Sequence, residues 1–446
     1  MKVALHTLGC KLNYSESSAI GSQFLAKGYE VVDSKEQAEI YVINTCTVTE
    51  NAERECRQIV RRFLRQNPEA YIIVTGCYAQ LRPNEISSIK GVSAVLGSSE
   101  KFNIFSLLEN FEKKELACVF VSPVEDQKEF GHAHSSEADS RTRAYLKIQD
   151  GCDYNCSFCT IPLARGQSRS MKLDEAAVEF KSLVEQGYKE IILTGVNVGD
   201  YGRTSGSNLF LLLKKLVNID GDFRIRISSI EPNLVSEEII NLVAANKKLC
   251  PHFHIPLQSG SPKVLKAMQR RYKASDYERL IHKIKQQIPQ ACIGADVIVG
   301  FPGESDEDFL STHNLLRDLP ISYLHVFTYS ERPQTKAAEM NSKVDVFVRR
   351  ERNTILRLLG NKKKNEFYKQ MIGQKLEVLF EHENKNGKMK GFSSNYVRVA
   401  HDFEYDFINR FVEVHIKDVK NEICTGEIID TISVQNDKKR IPQIKV

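Results

Sequence analysis

RAYLKIQDGCDYNCSFCTIPLARG, residues 143–166, decides the architecture. Its first seven residues alternate apolar and polar and read as a strand. The strand runs directly into Cys152, Cys156 and Cys159, spaced C-x3-C-x2-C. Three cysteines in so short a loop can wrap three corners of a cubane iron–sulfur cluster and leave the fourth iron open to an exogenous ligand. A zinc site would call for a fourth ligand and C-x2-C pairs, and no fourth ligand stands nearby in the sequence.

Downstream of the loop the strand signal recurs. EIILTG, FRIRISS, HFHIPL, IGADVIVG and YLHVFTYS follow, with amphipathic stretches such as LDEAAVEFKSLVEQG and SDYERLIHKIKQQ between them. Six strand–helix units predict a partial (β/α)6 barrel. Chemistry in such barrels sits at the carboxyl ends of the strands. That end carries the cysteine loop, Thr194 to Asn197, Ser228 to Pro232, Leu257 to Gly260 and Ile298 to Glu304.

Upstream, residues 1–135 alternate strand and helix and predict a doubly wound parallel sheet. Cys10, Cys46 and Cys77 each follow the end of a strand, in TLGC, INTC and VTGC. In open α/β sheets those ends border one crevice, so the three cysteines should converge. Converging thiols fit either a second iron–sulfur site or ordinary buried cysteines. Cys56 and Cys118 lack this placement and read as core. The opening MKVALHTLGC loosely imitates a lipoprotein signal, but its apolar stretch is short and broken by His6. The helix over 51–66 carries Arg54, Arg57, Arg61 and Arg65 on one face, either solvated or facing RNA. A polar segment, 121–143, reads as a linker, and His132 and His134 within it as solvated.

Residues 349–370 hold eight Lys or Arg against two Glu. They predict a helix whose basic face is a solvated connector, a clamp on the barrel or an RNA contact. From Gly373 short alternating segments predict a small β-barrel, a fold that often binds oligonucleotides. The chain has 446 residues, 41% hydrophobic, with a net charge of +5 and 11 cysteines. That length suits about two to four domains. No apolar run approaches the roughly 20 residues of a membrane span. Many closely spaced cysteines without a secretory segment point to metal ligands in a reducing, cytoplasmic setting rather than to disulfides.

TLGCKLN, NTCTVT, TGCYAQ, CDYNCSFCTIPLARG and HIPLQSGSPKVLKAMQRRY together resemble the radical S-adenosylmethionine methylthiotransferases along almost the whole chain. The resemblance implies three domains: 1–135 with an auxiliary cluster, a radical S-adenosylmethionine domain at 136–370 and a TRAM barrel at 371–446. It implies two [4Fe-4S] clusters, one on Cys152, Cys156 and Cys159 and one on Cys10, Cys46 and Cys77. Phe158 would lie near the adenine of S-adenosylmethionine. Asn197, Ser229, Glu231 and Gln258 would hold the cofactor's polar groups. The implied activity inserts sulfur at an unreactive C–H bond and caps it with methyl. The implied partners are a tRNA anticodon stem-loop and an electron-donor protein such as flavodoxin or ferredoxin, with no membrane.

QDGCDYNCSFC, LGCKLNYSES and PHFHIPLQSG look most like the branch acting on N6-threonylcarbamoyladenosine. Sibling branches act on isopentenyladenosine in tRNA or on an aspartate of a ribosomal protein. A threonylcarbamoyl group carries a carboxylate, which a buried pocket must meet with a cation or several hydrogen-bond donors. Arg165, Arg203 and Arg332 lie in loops expected at the barrel mouth and are the candidates. A reading of another class is an RNA-binding protein whose clusters are structural; the open iron argues against it.

Overall fold

The computed structural model describes residues 1–47, 50–108, 110–127, 129–134 and 142–431. It divides into two compact units, Met1–Glu366 and Phe367–Val446. The expected join at 135/136 and the tail beyond 431 lie outside the described residues. The second unit begins at Phe367, ahead of the expected 371.

The first unit opens with β1 (Lys2–Thr7), β2 (Glu30–Val32), β3 (Ile40–Thr45), β4 (Tyr71–Gly76), β5 (Ala94–Leu96) and β6 (Cys118–Phe120). They form one parallel sheet in the order β2-β1-β3-β4-β5-β6. The central strands are apolar at successive positions because both faces are covered. On β3, Ile40 and Val42 pack with Ile20 and Phe24 of α1 (Lys11–Ala26). The alternate Tyr41 and Ile43 pack with Val60 and Phe63 of α2 (Glu50–Gln66). Tyr41 stacks on Phe63 at a centroid distance of 4.1 Å. Cys56 is fully buried in that layer, while Arg54, Arg57, Arg61 and Arg65 are exposed. The strand order reverses between β1 and β3, so their carboxyl ends open the crevice where such sheets bind ligands.

A barrel follows. β7 (Arg143–Lys147) precedes a two-residue ribbon, β8 (Gln149–Asp150) with β9 (Arg169–Ser170). Then come β10 (Glu190–Thr194), β11 (Arg224–Ile227), β12 (His252–His254), β13 (Cys292–Val299) and β14 (Tyr323–Thr328). All six long strands run parallel, in chain order. Bridges Ile225–Leu249 and Ser229–His254 join the β7–β11 half to the β12–β14 half. Period-two alternation puts Ile191, Leu193, Ile225, Ile227, Ala295 and Val297 against the helices. Glu190, Arg224, Arg226, His252, His254 and Asp296 occupy the opposite positions. Glu190 there bonds both Arg224 and Arg226, which satisfies three buried charges.

The basic run near the end of this unit is helix Val346–Lys369. Much of its charge is turned inward. Arg349 pairs with Glu331, and Arg352 with Glu304 and Asp306. Lys363 is buried and donates to the Arg317 and Leu319 carbonyls at the end of helix Asp306–Asp318. At these positions the clamp reading holds. His132 and His134 are about half exposed, in keeping with the solvated reading, and both also contact Glu179.

The second unit is a closed five-stranded barrel in the order β15-β16-β17-β19-β18. Its strands are β15 (Lys375–Phe380), β16 (Lys388–Ser393), β17 (Arg398–Asp402), β18 (Phe411–Lys420) and β19 (Ile423–Thr431). Between β16 and β17 the chain turns at Tyr396, whose φ is +67°. No helix among the described residues is long and apolar enough to cross a membrane.

Candidate active site

The cysteine loop is pinned from beneath. Gly151, at φ +68°, lies so close to the Gln167 carbonyl that a Cβ would stand 2.0 Å from its oxygen. Gln149 braces both sides, donating to the Asp150 and Gly151 carbonyls and accepting from the Asn197 backbone N–H. Each loop sulfur then receives an N–H. Tyr154 N donates to Cys152 at 3.4 Å, Arg270 Nη1 to Cys156 at 3.0 Å and Ile161 N to Cys159 at 3.4 Å. Burial pushes the Cys152 and Cys159 thiols up to about 12 and raises Cys156 as well. Thiols of this kind ionise when a metal takes the proton's place. Three sulfurs lining one cavity, each met by a donor, fit a cluster held by three thiolates.

Above the loop lies a cavity of about 200 Å³. It brings together Cys152, Cys156, Cys159, Phe158, Asn197, Ser229, Glu231 and Gln258, the full set expected around one cofactor. Two of its polar atoms, Asn197 Nδ2 and Gln258 Oε1, are buried without a hydrogen-bond partner among the described residues. Such atoms are costly unless a ligand satisfies them. Gln258 adopts φ +65°, a left-handed conformation costing about 1–3 kcal/mol in a residue with a side chain. The backbone bonds of Gln258 to Asp296 and Ile298 hold it there. Ser229 Oγ meets His254 Nδ1 at 2.7 Å, and Glu231 is ion-paired with Arg270.

Arg270 escaped the sequence reading although it lies within a quoted motif. It joins Glu231 to Cys156, a link between residues far apart in the chain. Asp296 also escaped it. Its Oδ1 accepts from His254 Nε2 at 2.8 Å and His325 Nδ1 at 3.1 Å, and it borders the first cavity and a second. The second, about 210 Å³, is lined by Phe158, Cys159, Phe327, Tyr329 and Arg332 among others.

The other three cysteines meet at the crevice between β1, β3 and β4. Cys10 ends the loop after β1 and precedes the first residue of α1, and Cys77 opens the short helix Cys77–Leu81. The helix α1 begins at Lys11, placing Cys10 at its amino end, which favours negative charge. Gly9, at φ +98°, packs against Cys46: a Cβ there would lie 2.6 Å from Cys46 Cβ. Cys10 itself is exposed, and the Arg165 guanidinium and the Asn13 backbone N–H beside it favour its thiolate. The donor set and this close approach fit a second cluster.

The three arginines part company. Arg165 is 2% exposed and spends all five N–H donors within the protein, on Cys77, Glu16, Asp150 and Asn13. As a partner for a substrate carboxylate it is therefore corrected. Arg203 is half exposed and lies 3.7 Å from Asp153. Arg332 lines the second cavity and donates to Thr47 Oγ1 at 3.0 Å, one residue from Cys46.

Comparison with known proteins agrees with this geometry. Family models match residues 2–97 (Uncharacterized protein family UPF0004), 146–316 (Radical SAM superfamily) and 369–429 (TRAM domain). Threonylcarbamoyladenosine tRNA methylthiotransferase MtaB of Aquifex aeolicus is 39% identical, covering 93% of this chain and 100% of that protein. Its namesake in Bacillus subtilis is 40% identical over 93% of each. A tRNA-2-methylthio-N(6)-dimethylallyladenosine synthase of Endomicrobium trichonymphae is 34% identical over 95% of this chain and 100% of its own. Among solved structures, the radical S-adenosylmethionine methyltransferase TsrM of Kitasatospora setae shares the fold, with a TM-score of 0.56 at 15% identity over 87% of this chain and 80% of that one.

Fold and site define a radical S-adenosylmethionine enzyme, which uses an iron–sulfur cluster and S-adenosylmethionine. Within that class the chain belongs to the MtaB-like methylthiotransferase family, and it is a transferase.

Proposed function

We propose that this enzyme methylthiolates N6-threonylcarbamoyladenosine beside the anticodon of tRNA, with a second [4Fe-4S] cluster on Cys10, Cys46 and Cys77. When bound, the clusters and S-adenosylmethionine supply reductive radical chemistry and the sulfur. The chain's own residues hold and aim. Cys152, Cys156 and Cys159 ligate one cluster, with Arg270 donating to Cys156. Asn197 and Gln258 offer a donor and an acceptor to the cofactor's polar groups, Ser229 and Glu231 stand beside them, and Phe158 covers its base. The closed barrel of the second unit binds the RNA, and an electron-donor protein such as flavodoxin or ferredoxin reduces the enzyme.

One observation carries the choice of substrate. Arg332 lines the cavity that Cys159 also borders, and it bonds Thr47, the residue after Cys46. A cation walling a small cavity suits a threonyl carboxylate, whereas an isopentenyl group has no polar atom to meet it. Proteins named for the threonylcarbamoyl activity are 34–40% identical, a range that reaches above the 33–34% of those named for the dimethylallyl one and touches it at 34%.

The test is mass spectrometry of nucleosides after incubating the reconstituted enzyme with tRNA bearing either modification. Product is expected only from the threonylcarbamoyl tRNA. Arg332→Leu should reduce that product far more than it reduces uncoupled 5′-deoxyadenosine formation. Efficient turnover of the isopentenyl tRNA would move the enzyme to the sibling branch.

A further inference from the structure

Where the sheet of β1–β6 meets the barrel, six charged side chains leave solvent together. Glu16, Lys101 and Lys147 are fully buried, Arg165 and Asp150 nearly so, and Arg169 mostly. Glu16 accepts from Lys101 at 2.5 Å, Lys147 at 3.0 Å and Arg165 at 2.9 and 3.0 Å. Asp150 accepts from Lys147 at 2.7 Å, Arg165 at 3.0 Å and Arg169 at 3.3 Å. Every carboxylate oxygen is occupied, yet the charges do not balance. Among the described residues four cations face two carboxylates, an excess of two positive charges on buried side chains. A buried charge without a counter-charge is costly, and hydrogen bonds to neutral groups offset only part of that cost.

The geometry shows where the missing negative charge belongs. Arg165 lies at the centre of the group, and the one donor it does not spend on oxygen, Nε, reaches the Cys77 sulfur at 3.3 Å. Cys77 is itself 4% exposed. A cubane held by three thiolates is an anion in both its common oxidation states, more so when reduced. Hydrogen bonds to ligand sulfurs and nearby net charge are the levers that set a cluster's potential.

We propose that this buried excess of cations, centred on Arg165, is the fixed counter-charge of the cluster on Cys10, Cys46 and Cys77, and that it raises that cluster's reduction potential through the Arg165–Cys77 contact. The inference rests on the second-cluster reading above. It makes Arg165 a positioning residue, acting through Cys77. It also assigns Lys101 a distal electrostatic part, because Lys101 adds charge to the group with its hydrogen bond on Glu16 rather than on sulfur.

The test uses the full chain with Cys152, Cys156 and Cys159 all replaced by Ala, so that one cluster remains. It is reconstituted anaerobically, and its potential is titrated by electron paramagnetic resonance. Into this background go Arg165→Lys, Arg165→Met and Lys101→Met. The expected result is about four irons per chain in the background. The potential should shift to more negative values in the order Arg165→Met, Lys101→Met, Arg165→Lys, the lysine rescuing most of the loss. Lys101→Met keeps the test decisive where Arg165→Met fails to fold. Iron bound but a potential unmoved by Lys101→Met and Arg165→Lys would overturn the counter-charge inference alone. No iron in the background protein would overturn the second-cluster reading, and this inference with it.

Discussion

Gly9 and Cys46 come from loops after neighbouring strands, and they touch so closely that any side chain at residue 9 would strike the cysteine. The contact brings the loop of Cys10 down onto Cys46. Gly9→Ala adds a left-handed strain of roughly 1–2 kcal/mol to that collision. The expected outcome is loss of the second cluster, with bound iron falling from about eight to about four per chain while 5′-deoxyadenosine formation continues. Iron analysis and product assay of the reconstituted variant check it.

The two cysteine sets should separate in function. Cys156→Ala removes a ligand from the cofactor-facing loop and should abolish cofactor cleavage. Cys46→Ala should keep uncoupled cleavage and make no methylthio product. Product from Cys46→Ala would count decisively against a second cluster in the reaction.

Lysines 362 and 363 are neighbours with opposite fates. Lys363 caps the carbonyls that end helix Asp306–Asp318, whereas the Lys362 side chain is 71% exposed beside Glu366. Lys363→Met should destabilise the protein by about 1.5–3 kcal/mol, the usual range for a hydrogen bond to a charged group. Lys362→Met should stay within about 0.5 kcal/mol. Denaturant titration of both variants distinguishes them.

Acid should weaken the barrel through His252. Burial, reinforced by Arg226 close by, holds its imidazole well below the ordinary value. A histidine depressed in the folded state binds its proton more readily when unfolded. Its cost is therefore absent well above about pH 6.5 and grows as pH falls below it. Unfolding free energy should decline from pH 7.5 to 5.5 by up to about 1.4 kcal/mol per pH unit from this group. His252→Gln should flatten the decline; an unchanged slope would exclude His252 as its source.

The second unit should serve affinity. Truncation from Gly373 should weaken tRNA binding and its dependence on salt, since phosphate contacts release counterions. Uncoupled 5′-deoxyadenosine formation by the first unit should survive. Filter binding at several salt concentrations, paired with the cleavage assay, reads both.

Periodicity made much of the fold legible. The six barrel strands stand where alternation put them, and the strand-end rule brought Cys10, Cys46 and Cys77 to one crevice. The expected cofactor residues also share one cavity, because strand ends of a barrel face a common mouth. What stayed hidden depends on partners distant in sequence. Nothing local to Arg165 says that Glu16 and Asp150 absorb it, so its loop position misled. Nothing in QRRY says that Arg270 bridges Glu231 and Cys156. The run KKK looks uniform as sequence, and only helical phase against the barrel separates Lys363 from Lys362. The turn at Tyr396 was invisible for a local reason: a left-handed tyrosine leaves no compositional mark.

One helix, α1, begins beside Cys10 and five residues further on carries Glu16 into the charge group shared with the barrel. Two family models describe these regions separately, but a cut between them would expose a buried carboxylate on one side and its cations on the other. For protein engineering the two are a single thermodynamic part. A chimera that grafts the sheet of β1–β6 of one relative onto another's barrel must transplant Glu16 and Lys101 together with matching partners at Lys147, Asp150 and Arg165, or it inherits an unneutralised seam.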